Sequence, residues 1–359
     1  YFLLYTLGIN IFNITTISYK SIGKMIIIYS LFIFILLKLK TVGKSYVLNF
    51  YKYFILMLNI FVIINFYEIV SKKSIFYSFI ISGAKHWQTC AFGTNNFRTF
   101  SIFIHPIVYG SFLVVLFWCN RYIINNKIKY ILQINVIINL YYTKSRSAWI
   151  AIAITLFIYY LKAFFIKIKN NNIKFTYKKV ITLILTCIVL IFILLIFSKD
   201  INNILNQIAE RFITATKDSY NDASRLQRLG TIKIVNNYMF NNGISNLLFG
   251  NGCGSVKEFM MNHFVYITGF ATTDNQYVSF FYEFGLIGVS LYIFIVVSSI
   301  VKFFKNNDIL DISNLSILCF LSISVSMFFY ESYGWIDVFI FLIITMSFSC
   351  IKDIKKVGE

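Results

Sequence analysis

Long apolar runs, each closed by a short cluster of lysines or arginines, recur along almost the entire chain and constrain its fold more than any other feature. A hydrocarbon layer about 30 Å thick needs roughly 20 helical residues, fewer where flanking side chains snorkel. Ten stretches meet that need: Tyr1–Ile17, Met25–Leu39, Tyr53–Val70, Phe100–Cys119, Tyr130–Tyr142, Ala148–Phe165, Val180–Phe197, Phe284–Val301, Leu315–Tyr330 and Ile336–Ile351. Tyr130–Tyr142 is the shortest. Only 13% of the residues are charged, about half the share of a soluble domain, so a water-soluble core is excluded. The expected fold is an all-α polytopic membrane protein.

A net charge of +19 would suit a nucleic-acid binder. The basic residues, however, sit in clusters between apolar runs, as membrane topology requires. With the C-terminus inside and the spans alternating, 18 of the 33 Lys and Arg fall in inside loops and eight in short outside ones. That bias follows the positive-inside rule and puts residues 198–276 outside. The expected organisation is a seven-span bundle over residues 1–197 with an outer loop near 71–99. A large extracytoplasmic loop at 198–276 follows, then a three-span bundle over 277–359 ending in a short basic cytoplasmic tail. The chain starts at Tyr1 and not at a Met, so an N-terminal segment is expected to precede it. No leader and cleavage site are visible, and Tyr1–Ile17 reads as a span.

Within the large loop, Ile201, Ile204, Leu205, Ile208 and Phe212 recur at helical spacing. A second amphipathic stretch runs from Arg225 to a turn at Asn241-Asn242-Gly243. In the loop near 71–99, the apolar piece Ser74–Ser82 is too short to span and reads as re-entrant or interfacial. The six cysteines show no metal-ligand spacing; Cys90 and Cys253 fall on outside loops, where a disulfide is open to them. No repeat relates the two halves, unlike in many secondary transporters.

The informative anomaly is the set of basic residues that face outward. Arg146, in Thr143-Lys144-Ser145-Arg146-Ser147-Ala148, stands where two apolar segments meet. At bilayer centre an Arg costs about 2.5–3.5 kcal/mol, so it needs the membrane edge, water or an anion. Its planar fork suits phosphate oxygens, and a snorkelling helix-end Arg is the plainer reading. Arg98 precedes His105 and Pro106; the proline fits the first turn of a helix, leaving His105 as an interfacial hydrogen-bonding group or a capping partner. Arg225 and Arg228 are three residues apart, hence on one helical face, either a grip for a diphosphate or a solvated basic face.

Asp274, in Thr273-Asp274-Asn275-Gln276-Tyr277, is expected at the membrane face. There it would accept a proton or orient a hydroxyl, or else cap the following helix together with Asn275. A free aspartate, with a pKa near 4, is a weak base, so base chemistry needs partial burial to raise it. Leu248-Phe249-Gly250-Asn251-Gly252-Cys253-Gly254 has the composition of a phosphate cradle. No strand–turn–helix surrounds it, so it reads as a tight turn packing the loop onto the bundle.

Four segments taken together resemble the O-antigen polymerase and ligase family, which includes the Wzy-like repeat-unit polymerases. They are Arg98 through Pro106 to Gly110, Ser145-Arg146-Ser147-Ala148-Trp149, Arg225 through Leu248-Phe249-Gly250-Asn251-Gly252, and Asp274-Asn275-Gln276-Tyr277 through Gly288. The resemblance implies about a dozen helices, which ten spans plus a preceding pair would match. It implies a glycosyltransferase working on undecaprenyl-diphosphate-linked sugars at the outer face of the bacterial cytoplasmic membrane. Family arginines that hold the diphosphate map onto Arg98, Arg146 and Arg225 or Arg228. The expected site then comprises Asp274, Arg146 and Arg225 as catalytic residues, with Arg98, His105, Arg228, Asn275 and Tyr277 binding diphosphate or glycan.

The ligase branch usually carries His before the Asn of the last motif; Asp274 stands there and favours a polymerase making O-antigen or capsular polysaccharide. The resemblance further implies lipid-linked glycan and membrane lipid as partners, with a chain-length regulator and a flippase, and neither cofactor nor nucleic acid. No outward Asp-x-Asp pair is present to hold a divalent ion, so metal independence is expected. The alternatives are a polysaccharide flippase or transporter, and a ligase acting on an outer-membrane lipid core or a protein. A transporter would carry charges mid-span, whereas Glu68, Glu283 and Asp337 lie toward span ends.

Overall fold

The computed structural model describes residues 4–6, 8, 9, 18–41, 44–76, 92–94, 97–103, 105–123, 125–169, 223–266, 271–306, 308–331 and 336–350, without the side chains of 18–21, 24, 40, 44, 45, 47, 48, 169, 223–225, 336, 337 and 339. Among these, every regular element is an α-helix. In chain order they are α1 (Ser18–Thr41), α2 (Lys44–Ile64), α3 (Phe66–Ser71), α4 (Pro106–Asn120), α5 (Asn126–Thr143), α6 (Arg146–Lys169), α7 (Ala223–Asn241), α8 (Ile244–Phe249), α9 (Ser255–Asn262), α10 (Gln276–Lys305), α11 (Ile312–Ser326) and α12 (Ile336–Ser349). The all-α expectation holds.

Among the described residues, three helical stretches are long and apolar enough to cross a membrane: Asn49–Ser71, Arg146–Ile168 and Gln276–Lys305. Met25–Leu39, Pro106–Asn120, Ile312–Ser326 and Ile340–Ser349 are shorter apolar helices. Eight of the ten expected spans coincide with a helix. Val180–Phe197 and most of Tyr1–Ile17 lie outside the described residues, as do Cys90, the helical repeat at 201–212 and most of Ser74–Ser82.

Two helices form the centre. Nearly every side chain of α4 and α11 is buried. On α11, serines recur at Ser316, Ser322, Ser324 and Ser326, small enough to let neighbouring helices approach closely. The hydroxyls of the last three are satisfied within the helix; Ser322 Oγ donates to the Leu318 carbonyl at 2.7 Å, Ser324 Oγ to that of Phe320 at 3.0 Å and Ser326 Oγ to that of Ser322 at 3.0 Å. The short α5 is patterned inside out. It buries Gln133, Asn135 and Asn139 and exposes Ile131, Ile134 and Ile137, as a helix at the lipid boundary should.

The expected span Phe284–Val301 is the second arm of a bent helix. α10 breaks at Gly285, whose φ of 63° is left-handed. In a straight helix Tyr277 and Tyr292 would stand about 22 Å apart along the axis. Their rings are instead 5.7 Å apart, and both phenols reach Ser324, at 2.9 Å and 3.0 Å. The first arm therefore folds back beside the second. A Cβ at Gly285 would overlap the Leu248 carbonyl, and one at Gly250 would overlap the Glu283 backbone. The break frees carbonyls that the glycine loop then satisfies: Asn251 N donates to Tyr282 O at 3.0 Å and Gly252 N to Glu283 O at 2.9 Å. That is the tight packing turn read from the sequence. The expected second amphipathic stretch is α7, which packs with α9 around Tyr282 through Val235, Met239, Val256, Phe259 and Met260.

The bundle has two chemically different ends. At one, the ring of Tyr51 meets those of Tyr122 and Phe348, and Lys302 Nζ and Ser313 Oγ donate to the Ser349 carbonyl. Lys38, Arg121, Lys127, Lys129, Lys162, Lys167 and Lys305 belong to helix termini at this end. At the other end, Thr99 N donates to Tyr142 O, Ser111 Oγ bonds Tyr330 OH, and Gln276 N donates to Met327 O. Every site residue expected from the sequence whose side chain is described lies here.

Candidate functional site

Residues 97–103 form a non-helical segment ahead of α4 that ends in a turn, Phe103 N donating to Phe100 O at 2.9 Å, and not the start of a helix as the span Phe100–Cys119 assumed. Proline at the first helical position fixes the start at Pro106. The segment is held on both sides: Thr99 N donates to Tyr142 O at 3.2 Å, while Glu68 Oε2 accepts from Phe100 N and Ser101 N at 3.2 Å and 3.0 Å. Arg98 Nε donates to the Thr143 carbonyl at 2.8 Å, so it closes the end of α5. His105 caps α4, its Nδ1 accepting from Ile107 N at 3.1 Å. An accepting ring nitrogen carries no proton, so the imidazole is neutral with its proton on Nε2.

Arg146 opens α6, half-buried. The turn before it is tight: Lys144 has φ 50°, Ser145 N donates to Thr143 Oγ1 at 3.2 Å, and Trp149 Nε1 donates to Leu140 O at 3.1 Å. Ala148 and Ser145 lie directly against Gly110 of α4. The turn thereby presents Arg146 beside the start of α4.

Asp274 sits on the α10 side of the site with φ 53°, a left-handed conformation that short polar residues tolerate. Its Oδ2 lies 3.5 Å from Arg228 Nε, and Thr272 Oγ1 donates to Oδ1 at 3.4 Å. Burial raises its pKa above the ordinary carboxylate value, while Arg228 and Thr272 pull it back. The partial burial that base chemistry requires is present. Beneath it, Thr273 is a buried clamp, with Oγ1 2.7 Å from Ser279 Oγ and donating to Asn275 O at 2.7 Å. Asn275 is the N-cap of α10, accepting from Tyr277 N at 2.9 Å and Val278 N at 3.4 Å. Tyr277 donates its phenol to Ser324 O and stacks on Phe328 at 4.1 Å. Arg225 lies on α7 one turn before Arg228, its side chain outside the described residues.

The structure thus brings together Arg228 with Asp274, and Arg98 with His105, which feels its charge. Ser111 Oγ and Tyr330 OH, 3.0 Å apart, join the two halves. Three acids went unassigned in the sequence reading of the site. Glu331, beside Tyr330, is buried and accepts from Thr273 N at 3.2 Å; burial pushes it up to about 7 against the hydrogen bonds it receives. Glu283 accepts from Gly254 N at 2.8 Å, and Glu68 holds the 97–103 segment. Their signal was an acid at the end of an apolar run, which needs a built partner set to stay there.

Residues 131–293 match a family model described as O-Antigen ligase. No curated protein and no solved structure matches the chain. The matched stretch runs from α5 into the second arm of α10 and holds Arg146, Arg225, Arg228, the glycine loop, Asp274, Asn275 and Tyr277. The family that the four sequence segments resemble is therefore the one whose model residues 131–293 match.

Proposed function

We propose that the protein polymerises undecaprenyl-diphosphate-linked oligosaccharide repeat units into O-antigen or capsular polysaccharide at the outer face of the cytoplasmic membrane. The supporting observation is the gathering of Arg98, His105, Arg146 and the Arg228–Asp274 pair at one end of the bundle, opposite the lysine-rich end. By the positive-inside rule the lysine-rich end is cytoplasmic and the site faces outward. No nucleotide-sugar pool exists there, so a donor must arrive already activated on lipid.

In this reaction the bond from the anomeric carbon to the diphosphate oxygen breaks, and the electron pair leaves with the lipid diphosphate. A sugar hydroxyl of a second lipid-linked unit forms the new bond to that carbon and gives its proton to Asp274. Arg98, Arg146 and the α7 arginines Arg225 and Arg228 stabilise the charge that grows on the leaving diphosphate. His105, neutral and with its proton on Nε2, acts as a donor to a glycan or phosphate oxygen.

A second reading is favoured by the family description itself: a ligase that passes the glycan to a different acceptor by the same bond exchange. Asp274, where the resemblance places a ligase histidine, supports the polymerase. Deleting the gene in the native host distinguishes them. Surface glycan of single repeat length is the expected result. Lipid-linked polymer accumulating without transfer to its acceptor would identify a ligase, and repeat units trapped on the cytoplasmic leaflet a flippase. Normal chain length would exclude the proposal.

A further inference from the structure

Behind the Arg98–His105 segment lies a group of oxygen atoms that the fold leaves without partners. Glu68 Oε2 accepts two backbone N–H groups and the carboxylate also meets the Ser74 hydroxyl, but Oε1 lacks a hydrogen bond of ordinary geometry, as do Asn65 Oδ1, Thr99 Oγ1 and Ser101 Oγ. All four residues are at most 1% exposed. They belong together: Asn65 and Glu68 are one turn apart on the same face, and Glu68 itself binds the backbone of the segment that carries Thr99 and Ser101.

The orientation of the Asn65 amide is fixed by its neighbours. Asn139 Nδ2 donates to the Asn135 carbonyl at 3.0 Å, so Asn139 Oδ1 is the atom that faces Asn65. Asn65 must therefore turn its Nδ2 to it, at 2.7 Å, which leaves Oδ1 as the unbonded atom. Tyr109 OH donates to the same Asn139 oxygen at 3.1 Å and reinforces the arrangement.

Buried oxygens without donors, one of them on a carboxylate, are expensive unless a cation, a water or a proton meets them. Among the described residues no basic side chain pairs with Glu68. The donor set is hard oxygen, and no group of three or more His, Cys, Asp and Glu is gathered among the described residues. A single carboxylate balances one positive charge. A divalent ion would leave net charge in the interior, and calcium takes six to eight oxygens. We propose that Glu68, Asn65, Thr99 and Ser101 form a binding site for one monovalent metal cation of the sodium type. The bound ion would tie the segment at 97–103 to α3 and so brace Arg98, as part of the scaffold and apart from the reacting diphosphate. It does not depend on the polymerase reading.

The test uses the full chain in lipid nanodiscs, with radioactive sodium binding and thermal unfolding in sodium chloride against choline chloride at equal ionic strength. One sodium per chain should bind saturably, with Tm higher by about 3–5 °C at saturation. Glu68→Gln should abolish both effects. Ser101→Ala and Thr99→Val, which keep the backbone donors to Glu68, should each weaken sodium binding by about tenfold or more. Equal Tm in the two salts with no saturable binding would overturn the proposal and leave a proton or water on these oxygens. So would binding unchanged in Ser101→Ala and Thr99→Val together. If Glu68→Gln does not fold, the wild-type isotherm and these two variants decide.

Discussion

Arg228 on α7 and Asp274 at the foot of α10 meet Nε to Oδ2 at 3.5 Å, with 29% and 25% of their side chains exposed. This contact joins α7 to the start of α10 at the point where the proposed reaction needs both a base and a cation. Because Asp274 must be ionised to take a proton, activity should rise with pH through its pKa, which burial sets above the ordinary carboxylate value. Removing the opposing charge with Arg228→Gln should move that acid limb to higher pH and lower kcat. The measurement is a pH–rate profile on lipid-linked repeat units. A limb that stays in place would remove Asp274 as the base.

In the proposed reaction Arg146, at the first position of α6, stabilises the charge growing on the leaving diphosphate. Arg146→Ala should therefore lose polymer synthesis by about 100-fold or more at normal protein level. Arg98→Ala should lose both activity and about 1 kcal/mol of stability with its hydrogen bond. Glycan ladders read beside membrane protein levels separate the two outcomes.

Glu331 gives a sign to the pH dependence of stability. Its folded pKa, near 7, lies above the ordinary value of 4.5, so the folded state holds the proton more tightly. The stability this contributes is complete below about pH 4.5 and is lost as pH rises through 7. Glu331→Gln should flatten the change in Tm between pH 5 and pH 8. An unaltered slope would mean that the carboxylate is more solvated than its burial indicates.

Gly285→Ala and Asn275→Ala probe the same helix with different severity. A Cβ at Gly285 would overlap the Leu248 carbonyl at a backbone angle that L-residues avoid, so the variant should fail to accumulate folded. Asn275→Ala loses one helix cap, about 1 kcal/mol, and should keep activity at low temperature. Proteolysis in intact membranes checks both. Full loss of activity in a stably folded Asn275→Ala would show that the amide also touches substrate.

Much of this arrangement could be read from the residues, because apolar runs and basic clusters report directly on what lipid and water allow. Pro106 marked a helix start, and Gly250, Gly252 and Gly254 marked a turn. The bend at Gly285 was not legible. Its cause is the approach of Leu248 from 37 positions upstream, and no local pattern encodes that. Glu331 was overlooked for a related reason: only the fold brings it under Thr273, 58 residues earlier in sequence. Asn275 and Tyr277 were expected to bind glycan from the family resemblance of the motif that holds them. The structure gives them a helix cap and a packing contact.

A straight run of the 30 residues in α10 would measure about 45 Å and lift its first turn well clear of the hydrocarbon. The hairpin at Gly285 leaves residues 286–305, about 30 Å of rod, to match the bilayer thickness. The leading arm is laid down alongside. In the proposed function that bend keeps Asp274 at headgroup depth, the height a lipid-tethered diphosphate can occupy without dragging its isoprenoid tail out of the oil.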